Sequence, residues 1–133
     1  MYGVQIVENQ HSGLQYSRNL VIEKTILWLD MYFSGKMPDF VPDIEFCGSD
    51  FQKKVWKELM NLPFGEPATY GDISRRLGCR SAQAVGGAVG KNPILIIVPC
   101  HRVLAANGRL GGFSAGLERK IWLLNHEKIS FVK

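Results

Sequence analysis

Between residues 18 and 33 the apolar positions recur at helical spacing. Val21, Thr25, Trp28 and Tyr32 form one stripe, and Ile22, Ile26, Leu29 and Phe33 form its neighbour. Together they predict a helix with a wide face for burial. Gly35 stands where a left-handed cap belongs, and Pro38 and Pro42 mark an extended connector behind it. Ahead of the helix, Val4-Gln5-Ile6-Val7 fits a short strand followed by a turn at 9–13. Ser49 and Gln52 then have the form of a capping box. The helix they open carries Phe51, Val55, Trp56, Leu59 and Met60 at helical spacing, with Lys53, Lys54 and Lys57 on its other faces. Pro63-Phe64-Gly65-Glu66-Pro67 is a turn. Thr69 and Asp72 repeat the cap-and-acid pattern for a short helix ending at Gly78, and Ser81 caps another over 82–90. The run Ile94-Leu95-Ile96-Ile97-Val98 is apolar throughout and β-branched at four positions. It predicts a strand buried on both faces, stopped by Pro99. Asn107-Gly108 is a turn dipeptide. Residues 111–116 form a glycine-rich loop without the lysine or spacing of a phosphate-binding loop. A final helix over 117–127 has Leu117, Ile121 and Leu124 on one face.

Composition narrows the class without naming a function. A chain of 133 residues, 46% hydrophobic and 21% charged, builds one ordinary domain or two small ones around a modest core. No apolar run approaches the roughly 20 residues of a membrane span. The first residues lack the basic and apolar regions of a signal peptide. A cytoplasmic protein that does not engage membranes is therefore expected. Cys47, Cys79 and Cys100 are odd in number and widely spaced, so they form no finger-type zinc site and are expected as free thiols. The net charge of +4 permits nucleic acid as a partner without requiring it, because many basic proteins carry only a solvated basic face.

Three places hold unexplained chemistry. Cys100 follows Pro99 at the end of the apolar run, with His101 and Arg102 directly after it. The bland reading is a buried inert cysteine. A rigidly held thiol beside an imidazole is also a candidate nucleophile, because a neighbouring base generates the reactive thiolate. The helix over 82–90 is nearly bare, Ala and Gly at most positions, in the second place of what reads as a helix-turn-helix. Either it packs closely against a neighbour, the first reading for a helix of small residues, or its backbone approaches a narrow surface such as a minor groove. Glu127 closes the last helix at the end where the macrodipole disfavours an acid. It is either an exposed glutamate at a frayed end or an acid with a partner.

These motifs taken together closely resemble the O6-alkylguanine-DNA alkyltransferases. The resemblance is carried by Phe51 to Trp56, Pro63-Phe64-Gly65, Thr69-Tyr70-Gly71, the Ala84 to Ala88 segment, Asn92-Pro93, Pro99-Cys100-His101-Arg102 and Trp122 to Glu127. It covers about residues 46–127. It implies an α+β protein with a shortened N-terminal α/β scaffold domain at 1–45. Residues 46–133 would form a mostly helical, winged-helix-like DNA-binding domain with a helix-turn-helix. The activity it implies is irreversible transfer of an alkyl group from O6-alkylguanine in double-stranded DNA to the protein's own cysteine, with the lesion flipped out of the stack. The protein is consumed after one turnover, needs no cofactor or metal, and acts as a monomer.

By the same resemblance Cys100 is the acceptor, His101 its base acting through a water, and Glu127 the group orienting His101. Tyr70 assists departure of the base, and Asn92 holds the active-site backbone. The backbone of Val103, together with Phe113 and Ser114, would contact the flipped guanine. Ala82, Gln83, Ala84, Gly86, Gly87, Arg80 and Arg102 would meet DNA, with the bare helix in the minor groove. The chain departs from the family pattern at Gln83, where an arginine commonly fills the gap left by the flipped base. Either Gln83 or Arg80 takes that role here. Phe113 stands where a tyrosine is common. Two other readings compete: a non-catalytic binder of alkylated guanine resembling the alkyltransferase-like proteins, which replace the cysteine, and a helix-turn-helix regulator with a structural Cys-His pair. The intact Cys100 speaks against the first, and the missing long polar recognition residues against the second.

Overall fold

The computed structural model describes residues 12–133, with side chains from Asn19 onward. The strand expected at 4–7 lies outside the described residues. The chain divides into two compact units, Met1–Phe46 and Cys47–Lys133. The described residues give an α+β protein with five α-helices and one two-stranded sheet.

Among the described residues of the first unit one helix, α1 (Ser12–Phe33), starts six residues ahead of the expected Arg18, since extending a formed helix gains a hydrogen bond for each residue added. The first of its two apolar stripes is the buried one: Thr25, Trp28 and Tyr32 are buried, while Ile26 and Phe33 of the second stripe are exposed. Periodicity says which residues share a face, and not how much of that face finds a partner. Trp28 and Tyr32 stack with ring centroids 5.5 Å apart, and the Thr25 hydroxyl donates to the Val21 carbonyl at 2.7 Å, which removes the cost of burying it. Gly35, at φ +87°, ends the helix in a Schellman motif, with Gly35 N–H on Tyr32 O and Lys36 N–H on Met31 O.

The second unit is built on α2 (Asp50–Leu59), β1 (Ala68–Thr69), α3 (Tyr70–Arg76), α4 (Ala82–Gly90), β2 (Val103–Leu104) and α5 (Leu117–His126). Ser49 and Thr69 both close reciprocal capping boxes, and Ser81 accepts from Ala84 N–H, so the starts of three helices are written locally in the sequence. Val55, Trp56 and Leu59 of α2 and Ile73 of α3 are buried with Val85, Ala88 and Val89 of α4. The Trp56 indole N–H donates to the Ala88 carbonyl at 2.9 Å. Small side chains on α4 permit that approach. They account for only one of its faces: Ala82, Gln83, Ala84 and Gly87 are exposed. Strands β1 and β2 pair in parallel, Ala68 beside Val103 and Thr69 beside Leu104. This ladder ties the entry of α3 to the segment that leaves Cys100. Leu124 of α5 joins Leu104, Leu110 and Ile129 in one apolar cluster.

Residues 94–98 do not form the expected strand. They make a tight buried loop in which Ile97 N–H bonds Leu95 O and Val98 N–H bonds Ile94 O. Ile96 lies at φ +74°, a left-handed conformation that costs a β-branched residue about 1–3 kcal/mol. The apolar run records burial at Ile94, Ile97 and Val98, with Leu95 and Ile96 half-buried, and the reversal comes from Asn92. Its side-chain N–H donates to Val98 O at 2.9 Å and its side-chain oxygen accepts from Ile94 N–H at 3.0 Å. One amide thus closes the loop across its mouth. Asn92→Ala leaves the buried Ile94 N–H unpaired, worth roughly 1–3 kcal/mol, and takes from the Val98 carbonyl one of its two donors, Cys100 N–H remaining, for roughly 1 kcal/mol more. The urea-unfolding free energy is expected to fall by about 3 kcal/mol, and an unchanged midpoint would show that the loop closes without Asn92.

Candidate active site

Cys100 opens a single 3-10 turn, Cys100–Arg102, between the Asn92-closed loop and β2. Only 3% of it is accessible, yet it borders a cavity of about 300 Å³, at the small end of the range for small-molecule sites. Tyr70, Val89, Gly86 and Gly90 line one part of that cavity, and Gly112, Phe113 and Ser114 of the glycine-rich loop another. Gly111, at φ +65°, brings the loop against Tyr70: a Cβ there would lie 3.5 Å from the phenol oxygen. The glycines flagged by sequence thus give the cavity its room on two sides.

Behind the thiol lies a buried ionic cluster. His101 and the Glu127 side chain have no exposure, and His101 Nε2 is 2.5 Å from Glu127 Oε2. A carboxylate only accepts, so Nε2 carries the proton and Nδ1 is the basic nitrogen of the neutral ring. The second oxygen, Oε1, accepts from Arg102 Nε at 2.7 Å and from Gly65 N–H at 2.9 Å. Glu127 is the C-cap of α5, and these three donors offset the unfavourable helix end.

The charge states follow from these surroundings. Burial pushes the Cys100 thiol above its ordinary range, against the opposing pull of the Asn92 hydrogen bond and the Lys120 charge. The thiol is therefore protonated at neutral pH and needs a base. Burial pushes His101 below its ordinary range, outweighing the hydrogen bond and charge of Glu127, with Arg102 and Lys120 adding to the drop. That base is therefore neutral and available. Burial raises Tyr70, and the nearby Cys100 adds to this, so its phenol keeps its proton.

Lys120 went unnoticed in the sequence, where a lysine beside Arg119 on an amphipathic helix reads as solvated. It is fully buried, and its ammonium donates to Val103 O at 2.7 Å and Gly112 O at 3.0 Å. Burial brings its pKa down to about 8. It links the glycine-rich loop to β2.

Of the other sequence-selected residues, Tyr70, Gly86, Cys100, Phe113 and Ser114 meet around the cavity. Val103 stands outside its lining, with its carbonyl on Lys120. Arg80, Ala82, Gln83, Ala84 and Gly87 are exposed. Arg102, expected to meet DNA, is instead buried: Glu127 and the Leu62 carbonyl, 2.7 Å from Nη1, hold its guanidinium inside. An ion pair held this deep leaves little of the guanidinium for a phosphate. Among the described residues no three His, Cys, Asp or Glu side chains gather to hold a metal ion. No helix among them is long and apolar enough to cross a membrane.

Residues 50–129 match the family described as 6-O-methylguanine DNA methyltransferase, DNA binding domain. A methylated-DNA–protein-cysteine methyltransferase of Mycobacterium leprae is 44% identical over 111 residues, covering 83% of this chain and 67% of that protein. A Mycobacterium bovis protein of the same name is 48% identical over 101 residues, covering 75% of this chain and 61% of that protein. Among solved structures, the Mycobacterium tuberculosis OGT in complex with DNA superposes with a TM-score of 0.76 at 45% identity, covering 80% of this chain and 66% of that one.

Proposed function

Since the chain belongs to the 6-O-methylguanine DNA methyltransferase family, we propose that it repairs DNA by moving an alkyl group from guanine O6 in the duplex irreversibly onto the sulfur of Cys100. The observation that carries this reading is the Cys100 side chain at the wall of a base-sized cavity, followed by a buried His101 bonded to the Glu127 carboxylate. His101 takes the thiol proton at Nδ1 through a water, and Glu127 stabilises the resulting imidazolium. The thiolate attacks the alkyl carbon in line, a carbon–sulfur bond forms, and the carbon–O6 bond breaks with its electron pair leaving on guanine. Tyr70 gives the departing base a proton or hydrogen bond, so that it leaves nearly neutral. The product is a thioether with no easy return to a thiol, and the protein is an enzyme by reaction class and a reagent by stoichiometry.

Such an attack requires the lesion to be swung out of the stack. We read α3, the turn at 77–81 and α4 as a helix-turn-helix within a winged-helix-like domain spanning 46–133, with residues 1–45 as a scaffold domain. The exposed Ala82, Ala84 and Gly87 allow the α4 backbone close to a minor groove, and Gln83 or Arg80 fills the space the base vacates. Ser114 and Phe113 cover the flipped guanine, and the backbone carbonyl of Cys100 reads its amino group; Val103, outside the cavity lining with its carbonyl on Lys120, is not given that role.

The test is to incubate the protein with duplex DNA containing O6-methylguanine, digest it and weigh the peptides. The Cys100 peptide alone is expected to gain the mass of one methylene, with no more than one equivalent transferred. Retardation of the damaged duplex without a mass change would make the protein a lesion binder, and indifference to the lesion would remove both readings. Tyr70→Phe is expected to lower the single-turnover rate about 100-fold while leaving affinity for the lesion within a few-fold. An unchanged rate in rapid-quench measurements would take Tyr70 out of the chemistry.

A further inference from the structure

The turn Pro63-Phe64-Gly65 has no part in the mechanism above, yet it carries the groups that hold Glu127 from the side opposite His101. Gly65 N–H and Arg102 Nε both bond Oε1, while His101 bonds Oε2. Arg102 is itself rooted in this turn, with Nη1 on the Leu62 carbonyl and its guanidinium carbon 5.7 Å from the Phe64 ring centroid. Only an arginine can do all of this, because its planar fork reaches two acceptors in different directions and still presents a face to an aromatic ring. We propose that Arg102 is a positioning residue that occupies one oxygen of Glu127 and shares its negative charge, so that the carboxylate orients His101 without converting the resting imidazole to imidazolium.

This inference rests on the reading of His101 as a general base. A carboxylate 2.5 Å from an imidazole, alone in a low-dielectric interior, would draw the ring to its cationic form, and a cation cannot accept the thiol proton. The charged and titratable groups around His101 are Glu127, Arg102 on its own turn, Lys120 from α5 and the adjacent Cys100. Arg102 is the one cation of these bonded to the carboxylate itself. During transfer the imidazolium forms against a carboxylate already fixed in place, so Arg102 sets when His101 charges rather than whether it can.

The proposal is tested by NMR titration of the full chain with isotope-labelled histidine, in the absence of DNA. In the unmodified protein His101 is expected to be neutral at pH 7 with the proton on Nε2. A protonated ring at that pH overturns the proposal before any variant is made. In Arg102→Met and Arg102→Gln the His101 midpoint is expected to rise by at least one pH unit, a tenfold change in its proton affinity. Arg102→Lys keeps the charge and is expected to hold the midpoint within half a unit of the parent. The transfer rate of the Met and Gln variants is expected to fall below that of the parent at every pH under the new midpoint and to recover as the pH is raised past it. A purely structural role would lower the rate equally at every pH and leave the midpoint in place, and that result overturns the proposal. A protein that shows the midpoint shift but never alkylates Cys100 would keep the electrostatic assignment and lose the transfer reading.

Discussion

Cys100→Ala is expected to abolish alkyl transfer outright while the protein stays folded and keeps its affinity for damaged duplex. No other group here can replace the sulfur. Cys47 is exposed and Cys79 half-buried, and neither borders the cavity at which Tyr70 and Cys100 meet. The chemistry must form a bond at carbon, so there is no partial activity for an oxyanion pocket or a charge cluster to retain. Stability is expected to change by about 1 kcal/mol, the scale of losing one buried atom at the edge of an existing cavity. Binding is expected to survive because the exposed face of α4 is built from Ala82, Gln83, Ala84 and Gly87, none of which touches the thiol. Intact-protein mass after incubation with a lesion duplex measures the first claim and gel retardation the second. Methyl mass appearing on Cys47 or Cys79 would relocate the acceptor, and loss of retardation would mean that the thiol also builds the binding surface.

Local chemistry was the legible part of this chain. Ser49, Thr69 and Ser81 announce their helices because a cap bonds within three residues of itself, and Gly35 announces its terminus because few residues accept a left-handed conformation. Glu127 was legible through its misfit, an acid where the helix field is negative. Features that depend on long-range partners were read wrongly or missed. Five apolar residues at 94–98 satisfied the strand pattern, and what bends them is an asparagine outside the run, bonded to both ends of it. Arg102 was expected to meet DNA on the family resemblance alone. Its real partners, Leu62 and Glu127, lie 40 and 25 residues away.

Lys120 shows the same limit from the other side. Burying a lysine is costly unless its ammonium is paired, and the sequence around it offers no partner. Both acceptors, Val103 O and Gly112 O, are backbone carbonyls, which carry no sequence signature. The backbone that reads as featureless therefore forms much of the site: a carbonyl holds the guanidinium, two hold the ammonium, and an N–H holds the carboxylate. Sequence reading finds side chains with chemistry, and the carbonyls that steer them emerge only with the fold.

Glu127→Gln is expected to produce the largest combined loss of activity and stability after the cysteine change. The carboxylate accepts three donors on two oxygens. A carboxamide has one oxygen: kept on Arg102 and Gly65, it turns its NH₂ toward His101 Nε2 and moves the ring proton to Nδ1, the nitrogen that has to accept from the thiol. The buried guanidinium also loses its counter-charge, a change that typically costs 3–5 kcal/mol. Transfer is expected to slow by roughly 10³-fold because the imidazolium is no longer stabilised. The pH dependence of stability separates this from a packing defect. Burial would raise the Glu127 pKa, but the hydrogen bonds from His101 and Arg102 more than reverse it and hold the group at about 2 against an ordinary 4.5. A carboxylate depressed in the folded state contributes its full stability above pH 4.5 and loses it as the pH falls toward 2, here about 3 kcal/mol. The contribution of His101, buried neutral, begins to be lost below its ordinary 6.5. That loss begins above pH 4.5 in both proteins, and it is the larger in Glu127→Gln, where no carboxylate opposes the drop. Urea unfolding between pH 4.5 and 2 is thus expected to show a steep decline for the parent and a shallower one for Glu127→Gln, the two curves converging at the acid end. Parallel curves across that window would mean that the carboxylate is not held by the cluster, and the coupling of Glu127 to His101 would fall with it.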